Sequence, residues 1–190
     1  MKLSSRISVI GALVLGCLSG CGPGWKVLKA STPTTLAAAN NIAVVFDYSQ
    51  MLVEGKSVEQ WKAEKTAEDA RYPETWANLT GKFESAVIDG LRNNYPSAHL
   101  ASQGPGDVTV TIRPNKFGMG KYIVISAWPT VMSVVLAARA GEGEDSDEIQ
   151  FVRSYPASMV QPSVFNHIGY VGQQVGEVGS RFLSMKRAGK

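Results

Sequence analysis

The chain has 190 residues, 19 of them basic and 16 acidic, and its net charge of +3 falls to +1 once Lys2 and Arg6 are set aside with an N-terminal leader. So small an excess argues against a nucleic-acid partner and against a polybasic membrane patch. The 2 cysteines, Cys17 and Cys21, fall in the leader and at its cut site, so the domain must stand without a disulfide, on a core that about 150 residues can supply.

The leader opens with Met1-Lys2-Leu3-Ser4-Ser5-Arg6 and continues with an uncharged, mostly apolar run from Ile7 to Leu18. A basic start followed by a short apolar segment is the layout of a secretory signal. A membrane-spanning helix needs ~20 apolar residues, and this run stops at the turn formers Ser19-Gly20-Cys21-Gly22-Pro23-Gly24. The four residues Leu18-Ser19-Gly20-Cys21 resemble the lipobox of bacterial lipoproteins: aliphatic, small, small, cysteine. The resemblance implies a diacylglyceryl thioether on Cys21, cleavage after Gly20 and acylation of the new amino group with a chain such as palmitate. Two or three acyl chains hold a protein on a membrane stably, where one holds it marginally. Gly22 in place of Asp implies, by analogy with enterobacterial sorting, the outer membrane, with the domain facing the periplasm.

Residues 1–20 therefore read as signal peptide and 21–40, rich in Gly, Pro, Thr and Ala, as a lipidated tether with a short strand at Trp25–Leu28. A single globular domain is expected over 41–187, and a chain starting near Ala38 should fold without the anchor. Ile42–Tyr48 is a continuous apolar run ending in Asp47-Tyr48, the mark of a buried strand. Ser57 followed by Gln60 makes a capping box for a charged helix over 58–71, with Lys65 and Asp69 spaced to pair. Pro73 suits the first turn of the next helix, where Trp76, Leu79, Phe83, Val87 and Leu91 form an amphipathic stripe. From Val108 the period changes to two, with Val108, Val110 and Ile112 alternating with Thr109, Thr111 and Arg113. Strands at 122–128, 131–138 and 149–155 then complete an antiparallel meander, with an acidic turn from Gly141 to Glu148. In the last helix Gly169, Gly172, Gly176 and Gly179 accompany an apolar stripe. Four helical glycines cost about 3–4 kcal/mol against alanine, which close backbone approach, to the sheet or to another helix, would offset. The fold class that follows is α+β: a mixed, mainly antiparallel sheet of about five strands with two long helices on one face.

Chemistry-bearing clusters are sparse. His99 and His167 stand outside metal-ligand spacing. The run Glu142, Glu144, Asp145, Asp147, Glu148 lacks the calcium-loop spacing and reads as a solvated turn. Hydrolase and phosphate-loop motifs do not occur. No catalytic residue, metal or cofactor is therefore expected. Trp61 and Trp128 can be either core or a sugar platform. Asp47 ends a buried strand, where either a binding group or a turn residue belongs.

The stretch Phe46-Asp47-Tyr48-Ser49, with Val53, Gly55-Lys56 and Trp61, resembles a group of uncharacterised bacterial lipoproteins. More distantly, the element order resembles accessory lipoproteins of envelope export and transport systems. The lipid anchor, the missing catalytic motifs and the glycine-lined helix together point to a non-enzymatic accessory or assembly subunit, with the face of Gly169, Gly172, Gly176 and Gly179 as a surface for a protein partner or for self-association. The alternative is a periplasm-facing module that binds a small ligand or glycan through Asp47, Trp61 and Trp128.

Overall fold

The computed structural model describes residues 24–31, 36, 40–123, 126–141, 143–156 and 163–189, with the side chains of 121–128 excepted. Cys21 and the leader lie outside the described residues. In chain order the strands are β1 (Lys26–Lys29), β2 (Ile42–Phe46), β3 (Leu52–Val53), β4 (Lys56–Ser57), β5 (His99–Leu100), β6 (Val108–Gly118), β7 (Lys121–Ile123), β8 (Ser126–Trp128), β9 (Thr130–Ala140) and β10 (Asp147–Tyr155). The helices are α1 (Val58–Glu68), α2 (Tyr72–Arg92) and α3 (Val164–Arg187).

Eight strands make one sheet in the order β1-β10-β9-β6-β2-β5. Strand β3 pairs with β6 at Lys116 and Phe117, past the point where β2 ends, and β4 pairs with β3. Neighbours β6, β9 and β10 are antiparallel and β2 runs parallel to β6, so the sheet is mixed as expected. It is larger than five strands because β3, β4 and β5 are two residues each, too short to show a period. A second departure is a separate two-stranded hairpin, β7–β8, where one strand over 122–128 was expected. The two long helices are α2 and α3, and the shorter α1 makes three.

One face of the sheet carries the core. Ile42, Val44, Val108, Val110, Ile112, Val134, Leu136, Ile149 and Phe151 are buried there, under the stripe Trp76, Leu79, Phe83, Val87, Leu91 of α2 and Ile168, Val171, Val175, Val178, Phe182 of α3. The capping box of α1 forms as its residues require, with Ser57 Oγ accepting from the Gln60 amide and Gln60 Oε1 accepting from the Ser57 amide. Lys65 pairs with Glu68 rather than Asp69; Asp69 is the cap residue of α1 and turns back to Arg71.

The described residues of the segment read as a tether, 24–31 and 36, pack onto the sheet. Strand β1 is the edge of the sheet and pairs with β10 through Lys26↔Gln150 and Val27↔Ile149. It is short and bounded by lysines, features that discourage edge-to-edge pairing. Ser31 donates both its amide and its hydroxyl to Asp147, and Leu36 is fully buried in the core. Strand β1, Ser31 and Leu36 thus pack onto the domain although they fall in the segment that reads as a tether. A chain starting at Gly24 is expected to fold. One starting at Ala38 should melt roughly 10 °C lower, because losing Leu36 alone removes about 1.5–3 kcal/mol of burial. Thermal melts of the two, followed by circular dichroism, check this; coincident melts would mean β1 adds nothing.

Candidate functional site

The face of the sheet turned away from the helices is the open one. Alternation places Val45, Thr111, Ala137, Glu148 and Lys29 across it in one row, each paired with the next. Arg113 stands beside that row and collects three carboxylates. Its Nη2 is 2.7 Å from Asp145, its Nε 3.7 Å from Asp47 and its Nη1 3.8 Å from Glu148. The β9–β10 turn folds over this face, where Arg139 Nη1 donates to the Gly143 carbonyl at 3.1 Å. Two open depressions result, one of about 520 Å³ between Lys29, Arg113 and Asp145 and one of about 440 Å³ beside Gly104, Gly106 and Thr109. Arg139 lines both, and its Nε is buried with no hydrogen-bond partner among the described residues.

The motif Phe46-Asp47-Tyr48-Ser49 divides between the two faces. Phe46 stacks against Tyr48 and meets Phe83 edge-on at 5.9 Å, while Tyr48 donates its hydroxyl to Glu84 at 3.0 Å. Burial, followed by the Glu84 charge, pushes the Tyr48 phenol far up, so it stays a donor. Asp47 points to the other face and accepts from the Ser49 amide at 3.0 Å. The hydrogen bonds from Ser49, with Arg113 beside it, hold its carboxyl below the usual value. Both groups fasten the end of β2, which is the turn role.

The other residues singled out are engaged as well. Trp61 is half-buried, donates Nε1 to the Tyr72 hydroxyl at 2.7 Å and carries the Lys65 ammonium 5.1 Å above its ring. Its polar edge and one ring face are thus engaged within the chain. The Trp128 side chain lies outside the described residues. His99 spans the carbonyls of Ser97 and Gly104. His167 is buried, shares a hydrogen bond with Thr130 Oγ1 at 3.1 Å and lies 5.1 Å from the Tyr155 ring. In the acidic turn, Asp145 is spent on Arg113 and Asp147 on Lys186 at 2.8 Å; Glu142 lies outside the described residues. Among the described residues no three His, Cys, Asp or Glu side chains gather as a metal site.

The glycine face is occupied by the chain itself. A Cβ at Gly176 would enter the Val87 carbonyl and stand 2.8 Å from Gly90 Cα; one at Gly172 would lie 2.7 Å from the Phe83 carbonyl. Gly179 faces Leu136 and Leu91, and Gly169 the Lys82 side chain. Helix α2 thus covers Gly172 and Gly176, so the close approach that their spacing implies is made within the domain. The counterpart missed in the sequence is Gly90, whose position on the buried stripe of α2, seven residues after Phe83, is the signal that marks it.

No family model matches the sequence, and no curated protein does. Among solved structures the chain is similar to the PelC dodecamer from Paraburkholderia phytofirmans, at 11% identity and a TM-score of 0.45 over 80% of this chain and 97% of that one. A single-substitution variant of that dodecamer gives 12% identity and the same TM-score over 83% and 97%.

Proposed function

We propose that the protein is a lipid-anchored component of the bacterial envelope that acts by docking rather than by catalysis. The observation that carries the reading is the motif Leu18-Ser19-Gly20-Cys21, which precedes the first strand, Lys26–Lys29, by a short Gly-Pro-Gly-Trp link. The charges on the open sheet face are matched mostly to one another, and the two histidines serve local hydrogen bonds. Such a surface suits an accessory or assembly subunit, placed by the Gly22 sorting analogy on the outer membrane facing the periplasm. Replacing Cys21 with Ser is expected to abolish fatty-acid labelling and the lipoprotein-specific cleavage. Undiminished label on Cys21→Ser in cells fed a radioactive fatty acid would refute the anchor.

The alternative is a binding module, and one observation favours it: the Arg139 Nε, which has no hydrogen-bond partner among the described residues, between two depressions. A guanidinium with a free donor suits a carboxylate, so this reading expects a small acidic glycan to raise the melting temperature of the parent and not of Arg139→Gln.

A further inference from the structure

Cys21 stands three residues before Gly24, the first described residue. Consecutive Cα atoms are ~3.8 Å apart, so that link spans ~11 Å at most, whatever its path. Gly24 in turn lies against Arg153, whose guanidinium is 3.6 Å from the point where a side chain would start. A lipid on Cys21 therefore fixes which part of the domain meets the membrane.

That part has its own composition. Trp25 is half-buried and sets its ring edge-on to Phe182 at 6.3 Å. Val27 and Val152 are 52% and 54% exposed, the most exposed of the large apolar side chains described. Lys26 is exposed on the same strand, on the face opposite Val27. The Arg153 guanidinium lies over the Phe151 ring at 5.2 Å. Burial and the neighbouring Arg181 charge both act against the Arg153 charge, and Glu177 is the acidic group that favours it. Glu177 is also 3.8 Å from Arg181. Glu177 thus lies near two guanidiniums, Arg153 and Arg181. A chain of net charge +1 hides this local excess, which composition alone could not reveal.

We infer that this edge of the sheet, formed by Trp25, Lys26, Val27, Val152, Arg153 and Arg181, rests on the lipid head-group layer. Its cations face anionic phosphates and its apolar side chains lie at the interface. The inference rests on the anchored reading above and adds an orientation to it. Covering β1 in this way also shields the unpaired backbone groups of an edge strand. The opposite edge, β5 with the turn that follows it, then points away, five strand spacings or about 24 Å off.

The test uses the full chain, processed in cells and reconstituted into vesicles of phosphatidylethanolamine and phosphatidylglycerol. Val27→Cys and Ser102→Cys variants each carry one nitroxide, since Cys17 leaves with the signal and Cys21 is acylated. Intact mass reports the acylation independently. The expected result is an accessibility to a water-soluble nickel chelate at least threefold lower at position 27 than at position 102. In phosphatidylcholine vesicles, or with Arg153→Gln and Arg181→Gln together, that ratio should fall by at least half. Equal accessibility at the two positions in acylated protein overturns the orientation while leaving the anchor standing. A ratio unchanged by removing anionic lipid overturns the phosphate contact. Protection that persists in detergent and grows with protein concentration assigns the edge to a second copy and overturns the inference. An unacylated mass would instead defeat the anchored reading itself.

Discussion

Gly176→Leu is expected to leave the domain unfolded, or at least ~3 kcal/mol less stable in chemical denaturation. Helices α2 and α3 meet backbone to backbone at this point. Gly90 Cα is 2.8 Å and the Leu91 amide nitrogen 2.9 Å from where a Gly176 Cβ would sit. Backbone cannot rotate out of the way as a side chain can, so overpacking costs of about 1–3 kcal/mol are exceeded by leucine and reached by alanine. Alanine gains about 1 kcal/mol of helix propensity in return, which leaves Gly176→Ala a net loss. The other glycines grade the argument. Gly179 meets only side-chain ends, from Leu136 and Leu91, and should tolerate alanine better. Gly169 faces the flexible Lys82 and should be near neutral. Gly81 has open space around it, so Gly81→Ala should gain about 1 kcal/mol. If Gly176→Ala were as stable as Gly81→Ala, the backbone contact would be wrong.

Lys186→Met is expected to cost roughly 3 kcal/mol at pH 7, with the deficit narrowing below about pH 4. Asp147 is fully buried at the start of β10, and it ties Ser31 after β1 to Lys186 at the end of α3. Burial pushes its carboxyl up, but the hydrogen bonds from Lys186 and Ser31 outweigh that and hold it below its ordinary value. A depressed carboxyl stabilises the fold above its unfolded value, near ~3.9, and the gain is lost as pH falls through the folded value. Removing one partner of a buried pair costs about 3–5 kcal/mol. The lower figure applies because Lys186 keeps 13% of its side chain in water. Without Lys186, burial dominates and the carboxyl rises, so protonation relieves the variant more than the parent. Urea unfolding at pH 7 and pH 3.5 reads both; a deficit that did not change with pH would remove the ion pair from the account.

The elements with a strong period were legible: the stripe of α2, the capping box of Ser57 and Gln60, and the alternation of β6. What was not legible had no period to offer. The turn joining β3 and β4 places Glu54 at φ 50° and Gly55 at φ 83°. Such hairpin turns favour Asn-Gly or Asp-Gly, and a glutamate in the left-handed region pays about 1–2 kcal/mol. Here the Glu54 carboxylate accepts from the Met119 amide and its own amide donates to the Phe117 carbonyl, contacts from a strand sixty residues away that no local pattern announces. The candidate surface was hidden for a similar reason. In the sequence Arg113 reads only as a polar residue on the wet side of its strand, and the pattern does not show that the turn brings acidic residues to it. The four glycines showed that something must approach α3 closely, but not that α2 already supplies it.

Strand β1 finds its partner about 120 residues further along the chain, since Lys26 pairs with Gln150. Closing so long a loop is entropically costly and slow. In a chain synthesised amino end first, β1 emerges early and waits until β10 has followed. If Cys21 is acylated, the waiting strand is held at the membrane, and the domain completes its sheet there rather than in free solution. Assembly of this sheet is thus a question of timing as well as of contacts: the first strand to arrive is among the last to be paired.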